Sequence, residues 1–281
     1  MFNRDTLKKL KLIVADLDGT LLRNDAGISE RTECLIKELK NKGVLFTFAS
    51  GRLHSALSNY AEQLDLKIPI ISLDGCLIKI NGDEAPLYKS FVPQRYVKRA
   101  LEYADRHLLN IALCNTDSIY YTERNSVIPD LMEKFGAKYV EVPEYNGLTK
   151  QTLEITIASD YKDNVKHVRD KMSFPHTFGL NISYFKSHTY NGIYYLEIRK
   201  NSSNKGKALN LLLNYLGIRQ SETAVIGDWY NDISLFLPKT LKVTLSNSLP
   251  ELKLLSDIEM PKDNNNEGAA EFLEMVLKAK K

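Results

Sequence analysis

Four consecutive apolar residues, Leu12 to Ala15, end directly at a carboxylate, Asp16. A strand with one face in water alternates apolar and polar residues, so an unbroken apolar run predicts a strand that is buried on both faces. Such strands occur mainly in parallel sheets that helices cover on both sides. This run therefore predicts the first strand of an α/β core.

Strand and helix patterns alternate up to about residue 83. Ser29 is placed to cap a helix over about 30–41 that ends at Gly43, and a second buried strand follows at 44–49. A helix near 53–64 and a third strand at 69–72 come next. Strands that alternate with helices in this way predict right-handed crossovers and a parallel sheet.

The pattern changes between about residues 84 and 189. A helix at about 93–107 and another near 161–172 accompany strands near 109–113, 118–122, 138–142, 153–157 and 182–186. Strands outnumber helices, which predicts an α+β module with an antiparallel sheet and helices on one face.

The parallel pattern is predicted to resume from residue 190, with a strand at 194–198. It continues with a helix near 205–216, a strand at 223–226, a short helix near 231–236, a strand at 241–245 and a closing helix near 268–279. The predicted fold is a doubly wound, Rossmann-like α/β core (residues 1–83 and 190–281) with an inserted α+β cap (residues 84–189).

Composition agrees with a soluble two-domain protein. The 281 residues are 43% apolar and 26% charged, and no apolar stretch approaches the roughly 18–20 residues that span a bilayer. The net charge is +3 without a basic block, so we expect neither a nucleic-acid nor a membrane partner, and the lysine-rich segments 7–11 and 278–281 are predicted to be solvated.

The cysteines and the N-terminal segment predict a cytoplasmic protein. Cys34, Cys76 and Cys114 are few and lack a C-x-x-C spacing, which is typical of reduced thiols. The apolar run at Leu12 is broken at once by Asp16, so we do not expect it to be a signal peptide.

Four polar clusters follow predicted strands or open helices of the core. Each has an ordinary structural interpretation when taken alone, as a turn, a loop, a solvated lysine or a helix cap. The clusters are Asp16-Leu17-Asp18-Gly19-Thr20, Ser50-Gly51-Arg52, Lys205-Gly206-Lys207 and Gly227-Asp228-Trp229-Tyr230-Asn231-Asp232.

Taken together, the clusters point to phosphoryl transfer, because ligands of doubly wound sheets bind at the carboxyl ends of the strands. Mg²⁺ prefers carboxylate oxygens, and Asp16, Asp18 and Asp228 are predicted to supply them. A hydroxyl, an amide N–H, an ammonium and a side-chain amide can hold phosphoryl oxygens, and these are predicted to come from Ser50, Gly51, Lys205 and Asn231.

The motifs resemble those of the haloacid dehalogenase superfamily, and within it the Cof-type phosphatases with a C2 (type IIB) cap. The matching segments are Asp16–Thr20, Phe48–Arg52, Lys205–Leu209, Gly227–Asp232 and Glu267–Ala270, and they occur in the family's order. The resemblance covers the whole chain.

The resemblance implies a role for each matched residue. Asp16 would be the nucleophile and Asp18 the general acid and base, with Lys205 as the third catalytic residue. Magnesium would bind to Asp16, Asp18 and Asp228, with Asp232 and Asp74 as further candidates for the site. The residues expected to hold the substrate phosphate are Leu17, Ser50, Gly51, Arg52, Lys205 and Asn231.

The implied function is Mg²⁺-dependent hydrolysis of a small phosphate monoester through an aspartyl-phosphate. The substrate would be a sugar phosphate, a nucleotide or a phosphorylated cofactor. Two departures leave it open: Asp74 stands where the group commonly has asparagine, and Trp229-Tyr230 replaces a small or polar pair. Two alternatives are a phosphosugar mutase resembling the phosphomannomutases and a non-catalytic protein that binds a phosphorylated ligand.

Overall fold

A computed structural model of the chain describes residues 4–132, 136–187 and 192–281. Two compact units are found in it. The first comprises the chain up to Gly51, Ser58–Leu87 and Asn204–Lys281, and the second comprises Arg52–Leu57 and Tyr88–Ser203. None of the described helices is both long enough and apolar enough to cross a membrane.

The helices and strands are numbered in chain order. Those up to Lys79 are α1 (Arg4–Lys8), β1 (Leu12–Ala15), α2 (Glu30–Asn41), β2 (Leu45–Phe48), α3 (His54–Gln63), β3 (Ile70–Ser72) and β4 (Leu77–Lys79). The next group is β5 (Tyr88–Lys89), α4 (Gln94–Arg106), β6 (Asn110–Cys114), β7 (Ile119–Tyr121), α5 (Ile128–Met132), β8 (Tyr139–Glu141), β9 (Glu154–Ser159), α6 (Lys162–Met172), β10 (Leu180–Lys186) and β11 (Tyr194–Lys200). The last group is α7 (Lys205–Leu216), β12 (Thr223–Ile226), β13 (Leu241–Thr244), α8 (Pro250–Leu255), β14 (Ile258–Glu259) and α9 (Gly268–Ala279).

The first unit is built on a parallel sheet with the strand order β14-β13-β12-β1-β2. All four residues of β1 are buried, because strands pair with it on both sides and the sheet lies between helices. Ala15 lies opposite Ile226 of β12 and Phe48 of β2, so the three strands end at the same edge. The predicted doubly wound α/β core is confirmed.

The third predicted strand, at 69–72, pairs differently from the other two. β3 runs antiparallel to β4, and a single parallel bridge between Ala49 and Ile71 connects it to the residue that follows β2. The strand lies where the sequence predicts it, but its main ladder is not that of a parallel sheet.

The second unit contains a sheet with the order β10-β11-β9-β6-β7-β8. Its neighbours are antiparallel except for β7 and β8, which are parallel. Apolar residues of α4 and α6 pack on one face of this sheet, among them Val97, Ala100, Val165 and Val168 against Ile155 and Ile157. This is the predicted α+β arrangement.

The sequence analysis assigns one strand to the wrong sheet. The strand expected at 194–198 to resume the parallel core is β11, and it pairs antiparallel with β9 and β10 in the second unit. Leu196 and Ile198 are buried in the same apolar cluster as Ile155. A short apolar strand fits either sheet, and the pairing partner that decides between them is not encoded in its local pattern.

Candidate active site

Asp16 occupies the edge of the parallel sheet at which β1 and β12 end. Its backbone N–H donates to the carbonyl of Ile226 at 2.8 Å, and only 5% of the residue is exposed. Because β12 is parallel to β1, the segment that follows Ile226 leaves the sheet beside Asp16. The first and fourth sequence clusters therefore meet at this edge.

Lys205, the first residue of α7, is completely buried among carboxylates. Its Nζ lies 2.6 Å from Oδ1 of Asp16, 2.7 Å from Oδ1 of Asp232 and 4.0 Å from Oδ1 of Asp74. Burial lowers the pKa of Lys205, but Asp16 and Asp232 outweigh it and raise that pKa above its usual value. The ammonium group stays charged and holds Asp16 in place.

Gly206 explains how α7 can begin so close to the fourth cluster. A Cβ at this position would lie 1.9 Å from the backbone oxygen of Ser234. The backbone N–H of Gly206 donates to Oγ of Ser234 at 3.3 Å. A glycine is required here because the two backbones approach too closely for a side chain.

Asp232 organises the loop that carries Asp228. The residue is fully buried, and its Oδ2 accepts the backbone N–H groups of Asp228 at 2.9 Å and Trp229 at 3.1 Å. Its other oxygen accepts from Lys205 at 2.7 Å. Both carboxylate oxygens of Asp232 are thus engaged by the protein.

Asp228 is fixed by residues of the first cluster. The hydroxyl of Thr20 donates to its Oδ1 at 2.6 Å. Gly19 has a φ of 74°, and a Cβ there would lie 2.4 Å from Oδ2 of Asp228. Burial raises the pKa of Asp228 to about 7, against the opposing hydrogen bond from Thr20.

Three buried carboxylates form a group that can hold a metal ion. Asp16, Asp228 and Asp232 each offer an oxygen within 4.8 Å of the others. Burial and the charge of Asp232 raise the pKa of Asp16 well above its usual value, although Lys205 lowers it. One ammonium group does not neutralise three carboxylates, and hard oxygen ligands with surplus negative charge fit a divalent cation.

The hydrogen bonds distinguish the members of this carboxylate group. Because both oxygens of Asp232 accept donors, its role is to orient Lys205 and the Asp228 loop. Within the described part of the chain, Oδ2 of Asp16 and Oδ2 of Asp228 accept no hydrogen bond. Oδ2 of Asp228 can therefore bind a cation, and Oδ2 of Asp16 is open to a reacting group, without breaking an existing contact.

The other residues of the first cluster surround Asp16. Asp18 is exposed, and its charge contributes to the raised pKa of Asp228, so the two carboxylates are neighbours. Leu17 is fully buried, and its carbonyl accepts the N–H of Leu22 at 2.9 Å, which closes a wide turn over Leu17–Leu21.

Asp74 and Asn231 lie together beside Lys205. Nδ2 of Asn231 donates to Oδ1 of Asp74 at 2.9 Å, and the backbone N–H of Asp74 donates to the carbonyl of Ser50 at 3.0 Å. A Cβ on Gly51 would lie 3.3 Å from Oδ1 of Asp74. Ser50 and Gly51 of the second cluster are therefore adjacent to Asp74, and Arg52 belongs to the second unit.

The aromatic pair Trp229-Tyr230, which stands in place of a small or polar pair, lies at the surface. Trp229 is 53% exposed and Tyr230 54% exposed, and their rings meet edge to face at 5.6 Å between centroids. The backbone of Trp229, in contrast, is held by Asp232. The bulky pair thus leaves the arrangement of the buried carboxylates intact.

Some supporting residues were not predicted from the sequence. The sequence identifies Thr20 only as part of a motif, although its hydroxyl holds Asp228. Nδ2 of Asn247 donates to the carbonyl of Gly19 at 2.7 Å, and Nδ2 of Asn264 donates to that of Leu22 at 2.7 Å. Both asparagines lie in loops without periodicity, so no local signal identifies them.

The chain is similar to known proteins over most of its length. A family model described as haloacid dehalogenase-like hydrolase matches residues 13–273. Two Bacillus subtilis proteins named 5-amino-6-(5-phospho-D-ribitylamino)uracil phosphatase are similar over nearly their full lengths. YwtE is 26% identical over 294 residues, covering 95% of this chain and 98% of that protein. YitU is 24% identical over 264 residues, covering 93% and 96%.

A solved structure has the same fold. The crystal structure of a haloacid dehalogenase-like hydrolase from Bacteroides thetaiotaomicron superposes with a TM-score of 0.81 and 25% sequence identity. The match covers 95% of this chain and 99% of that one. The similarity therefore extends over both units.

Proposed function

The chain belongs to the haloacid dehalogenase-like hydrolases and is a phosphatase of that family, and from this premise we propose that it hydrolyses a small phosphate monoester with Asp16 as nucleophile and Mg²⁺ as cofactor. The family that the sequence motifs resemble is thereby confirmed. The observation that carries the proposal is the contact of Lys205 with Asp16 and Asp232, beside Asp228.

In the proposed first step, Oδ2 of Asp16 attacks the phosphorus atom. The bond between phosphorus and the ester oxygen breaks, and the leaving oxygen takes a proton from Asp18. In the second step, Asp18 removes a proton from water, which attacks the phosphorus of the aspartyl-phosphate. Phosphate leaves and the carboxylate of Asp16 is restored.

The role of Lys205 follows from its charge. The lysine keeps Oδ1 of Asp16 occupied at 2.6 Å, so the opposite oxygen of Asp16 is the one available for attack. Its positive charge also favours the ionised form of Asp16, which burial opposes. A carboxylate that was protonated would be a poor nucleophile.

Asp16 and Asp228, together with Asp18, are the residues proposed to hold Mg²⁺. When bound, the ion supplies positive charge that neutralises the phosphoryl oxygens. The amide of Asn231, the hydroxyl of Ser50 and the N–H of Gly51 are proposed to orient the same phosphoryl group. Leu17 and Arg52 are further candidates for phosphate binding.

The second unit is proposed to select the leaving group. Its sheet carries buried charge on the face opposite α4 and α6: Arg199 contacts Glu154, and its Nη2 lies 2.9 Å from Glu197. Glu154 and Thr156 alternate with Ile155 and Ile157, which pack in the apolar core. A buried ion pair usually stabilises a fold no better than well-packed apolar residues of similar size would, which supports a role in recognition.

A phosphate-release screen tests the proposal. The protein, freed of metal with a chelator, is incubated with sugar phosphates, nucleotides and 5-amino-6-(5-phospho-D-ribitylamino)uracil, with and without Mg²⁺. We expect release of inorganic phosphate from at least one ester only when Mg²⁺ is present. Full activity in excess chelator, or isomerisation of a hexose phosphate without phosphate release, contradicts the proposal.

The part assigned to the second unit has its own test. Glu197→Gln keeps a hydrogen-bond acceptor for Arg199 but removes a charge. We expect the order of preference among natural esters to change, while turnover of a nitrophenyl ester stays within about twofold, because that leaving group needs little recognition. An unchanged order of preference would show that the charge of Glu197 does not contribute to substrate recognition.

A further inference from the structure

A second polar cavity lies at the edge of the parallel sheet opposite Asp16. It has a volume of about 680 Å³ and is lined by residues that precede β1, β12 and β13, among them Lys11 and Glu222. Asp16 follows the last residue of β1, whereas Lys11 precedes the first. The cavity is therefore separate from the carboxylate site.

The fold brings the two lysine-rich segments of the sequence together at this cavity. Nζ of Lys280 donates to the carbonyls of Lys8 at 2.7 Å and Leu10 at 2.6 Å. As the sequence predicts, Lys8, Lys9 and Lys11 are exposed to solvent. Six basic residues line the cavity: Lys8, Lys9, Lys11, Arg219, Lys239 and Lys280.

The two acidic residues of the lining do not balance this charge. Glu222 is already paired, with Nζ of Lys11 at 2.7 Å and with Nη2 of Arg219 at 3.0 Å. Oδ2 of Asp257 accepts the backbone N–H of Lys242 at 2.9 Å. Six positive charges thus face two negative ones, and both negative groups have partners.

The positive charges of three of these lysines are not neutralised by a neighbouring group. In the described part of the chain, the ammonium groups of Lys8, Lys9 and Lys239 have no hydrogen-bond or ion-pair partner. Burial, and after it the charge of Lys11, lower the pKa of Lys280, so these two cations lie near enough to repel each other. An anion placed among them would relieve this repulsion.

We propose that this cavity is a binding site for a small polyanion with two or more phosphate groups. Several ammonium groups around one space suit a ligand with several charged oxygens, since lysine binds phosphate as a point charge. The volume lies in the range of small-molecule sites, about 300–1,000 Å³. The hydroxyl-bearing residues Thr6 and Ser221 add hydrogen-bonding capacity to the lining. The site does not depend on the phosphatase reaction proposed above.

Calorimetric titration with inorganic tripolyphosphate tests the site. The full-length protein is titrated in the presence of chelator, so that phosphate is not drawn to a metal at the carboxylate site. The variant is Lys9→Gln with Lys239→Gln, since both side chains are exposed and their loss leaves the folded contacts intact. The matched control is Lys37→Gln with Lys42→Gln, which removes the same charge from exposed positions of the first unit.

We expect tripolyphosphate to bind the unaltered protein more tightly than orthophosphate does. The Lys9 and Lys239 variant should bind it about tenfold more weakly, and the control should bind it like the unaltered protein. Absence of binding, or equal weakening in both double variants, would overturn the proposal, because the effect would then reflect net charge alone.

A third ligand separates a small polyanion from a nucleic acid. A single-stranded oligonucleotide is titrated under the same conditions. We expect it to bind more weakly than tripolyphosphate, since a chain of nucleotides cannot enter the cavity as a compact ligand does. Tighter binding of the oligonucleotide, lost in the Lys9 and Lys239 variant, would show that a nucleic-acid backbone is the occupant and would contradict the proposal.

Discussion

Nζ of Lys205 lies 2.6 Å from Oδ1 of Asp16, although 189 residues separate the two in the chain. The same nitrogen lies 2.7 Å from Oδ1 of Asp232, and it is fully buried. One ammonium group therefore joins the end of β1, the start of α7 and the loop after β12. It fixes which oxygen of Asp16 faces the proposed site of attack.

Lys205→Met should damage both stability and activity. Asp16 and Asp232 would keep their burial but lose their counter-charge, and breaking a buried ion pair in this way costs about 3 kcal/mol or more of the free energy of unfolding. We expect phosphate release to fall at least about 100-fold. Urea denaturation and the phosphate assay measure the two effects.

Lys207→Met is the matched control, since this lysine is exposed on the same helix. It should change the free energy of unfolding by less than about 0.5 kcal/mol. A Lys205→Met protein as stable and active as this control would show that the buried contacts of Lys205 contribute neither to stability nor to activity.

Thr20→Val should weaken metal binding, although it replaces none of the proposed metal ligands. The hydroxyl of Thr20 orients Asp228 at 2.6 Å and favours its ionised form, and the loss of such a supporting contact typically lowers metal affinity about tenfold or more. The affinity is measured from the rise in melting temperature as the Mg²⁺ concentration is increased.

The control for this change is another buried threonine. Thr47 donates to the carbonyl of Pro69 at 2.8 Å, away from the carboxylates. Thr47→Val should lower stability but leave Mg²⁺ affinity unchanged. If the two variants bind Mg²⁺ equally, Thr20 does not support the metal site.

Asp74→Asn should lower the KM for a phosphate ester several-fold. The amide oxygen can still accept from Nδ2 of Asn231, as the carboxylate does at 2.9 Å, but the negative charge that repels the substrate phosphate is removed. Turnover should stay within about threefold, because the contacts of Asp16 and Lys205 persist. Steady-state kinetics decides: a KM that rises would mean that the charge of Asp74 helps binding through Lys205.

Glu222 provides a prediction on pH and stability. Hydrogen bonds from Arg219, then from Lys11, hold the pKa of this carboxyl well below its usual value. Its pKa is lower in the folded than in the unfolded chain, so its stabilising effect is present above the unfolded pKa and is lost as the pH falls through the folded value.

Glu222→Gln should therefore lower the melting temperature at pH 7, and the difference from the unaltered protein should shrink as the pH falls below about 4. Thermal melts across this range measure it. A difference that stays constant from pH 7 to pH 3 would show that the ionised carboxylate is not the stabilising form.

Much of this architecture could be predicted from the sequence because local patterns encode it. The apolar run before Asp16, the cap at Ser29 and the extent of α9 each depend on neighbouring residues alone. The meeting of the first, second and fourth clusters follows from the rule that parallel strands end at one edge. The place of Lys205 does not, because the strand before it, β11, belongs to the other sheet.

What could not be predicted depends on long-range pairing. The local sequence of β11 does not specify antiparallel partners, and nothing near Asp232 indicates that its oxygens are taken by Lys205 and two backbone N–H groups. Likewise, the two lysine-rich segments lie at opposite ends of the chain, so their meeting at one cavity required the fold.

Acid quenching during turnover tests the central claim most directly. The Mg²⁺-loaded protein is mixed with its best substrate, quenched in acid within milliseconds and digested, and the peptides are analysed by mass spectrometry. The account predicts a phosphoryl group on Asp16, absent from Asp16→Asn, which should retain its fold and lose at least about 99% of its activity. An Asp83→Asn protein, altered at an exposed carboxylate, should be labelled normally. Phosphate on a different residue, or undiminished turnover by Asp16→Asn, would contradict the account.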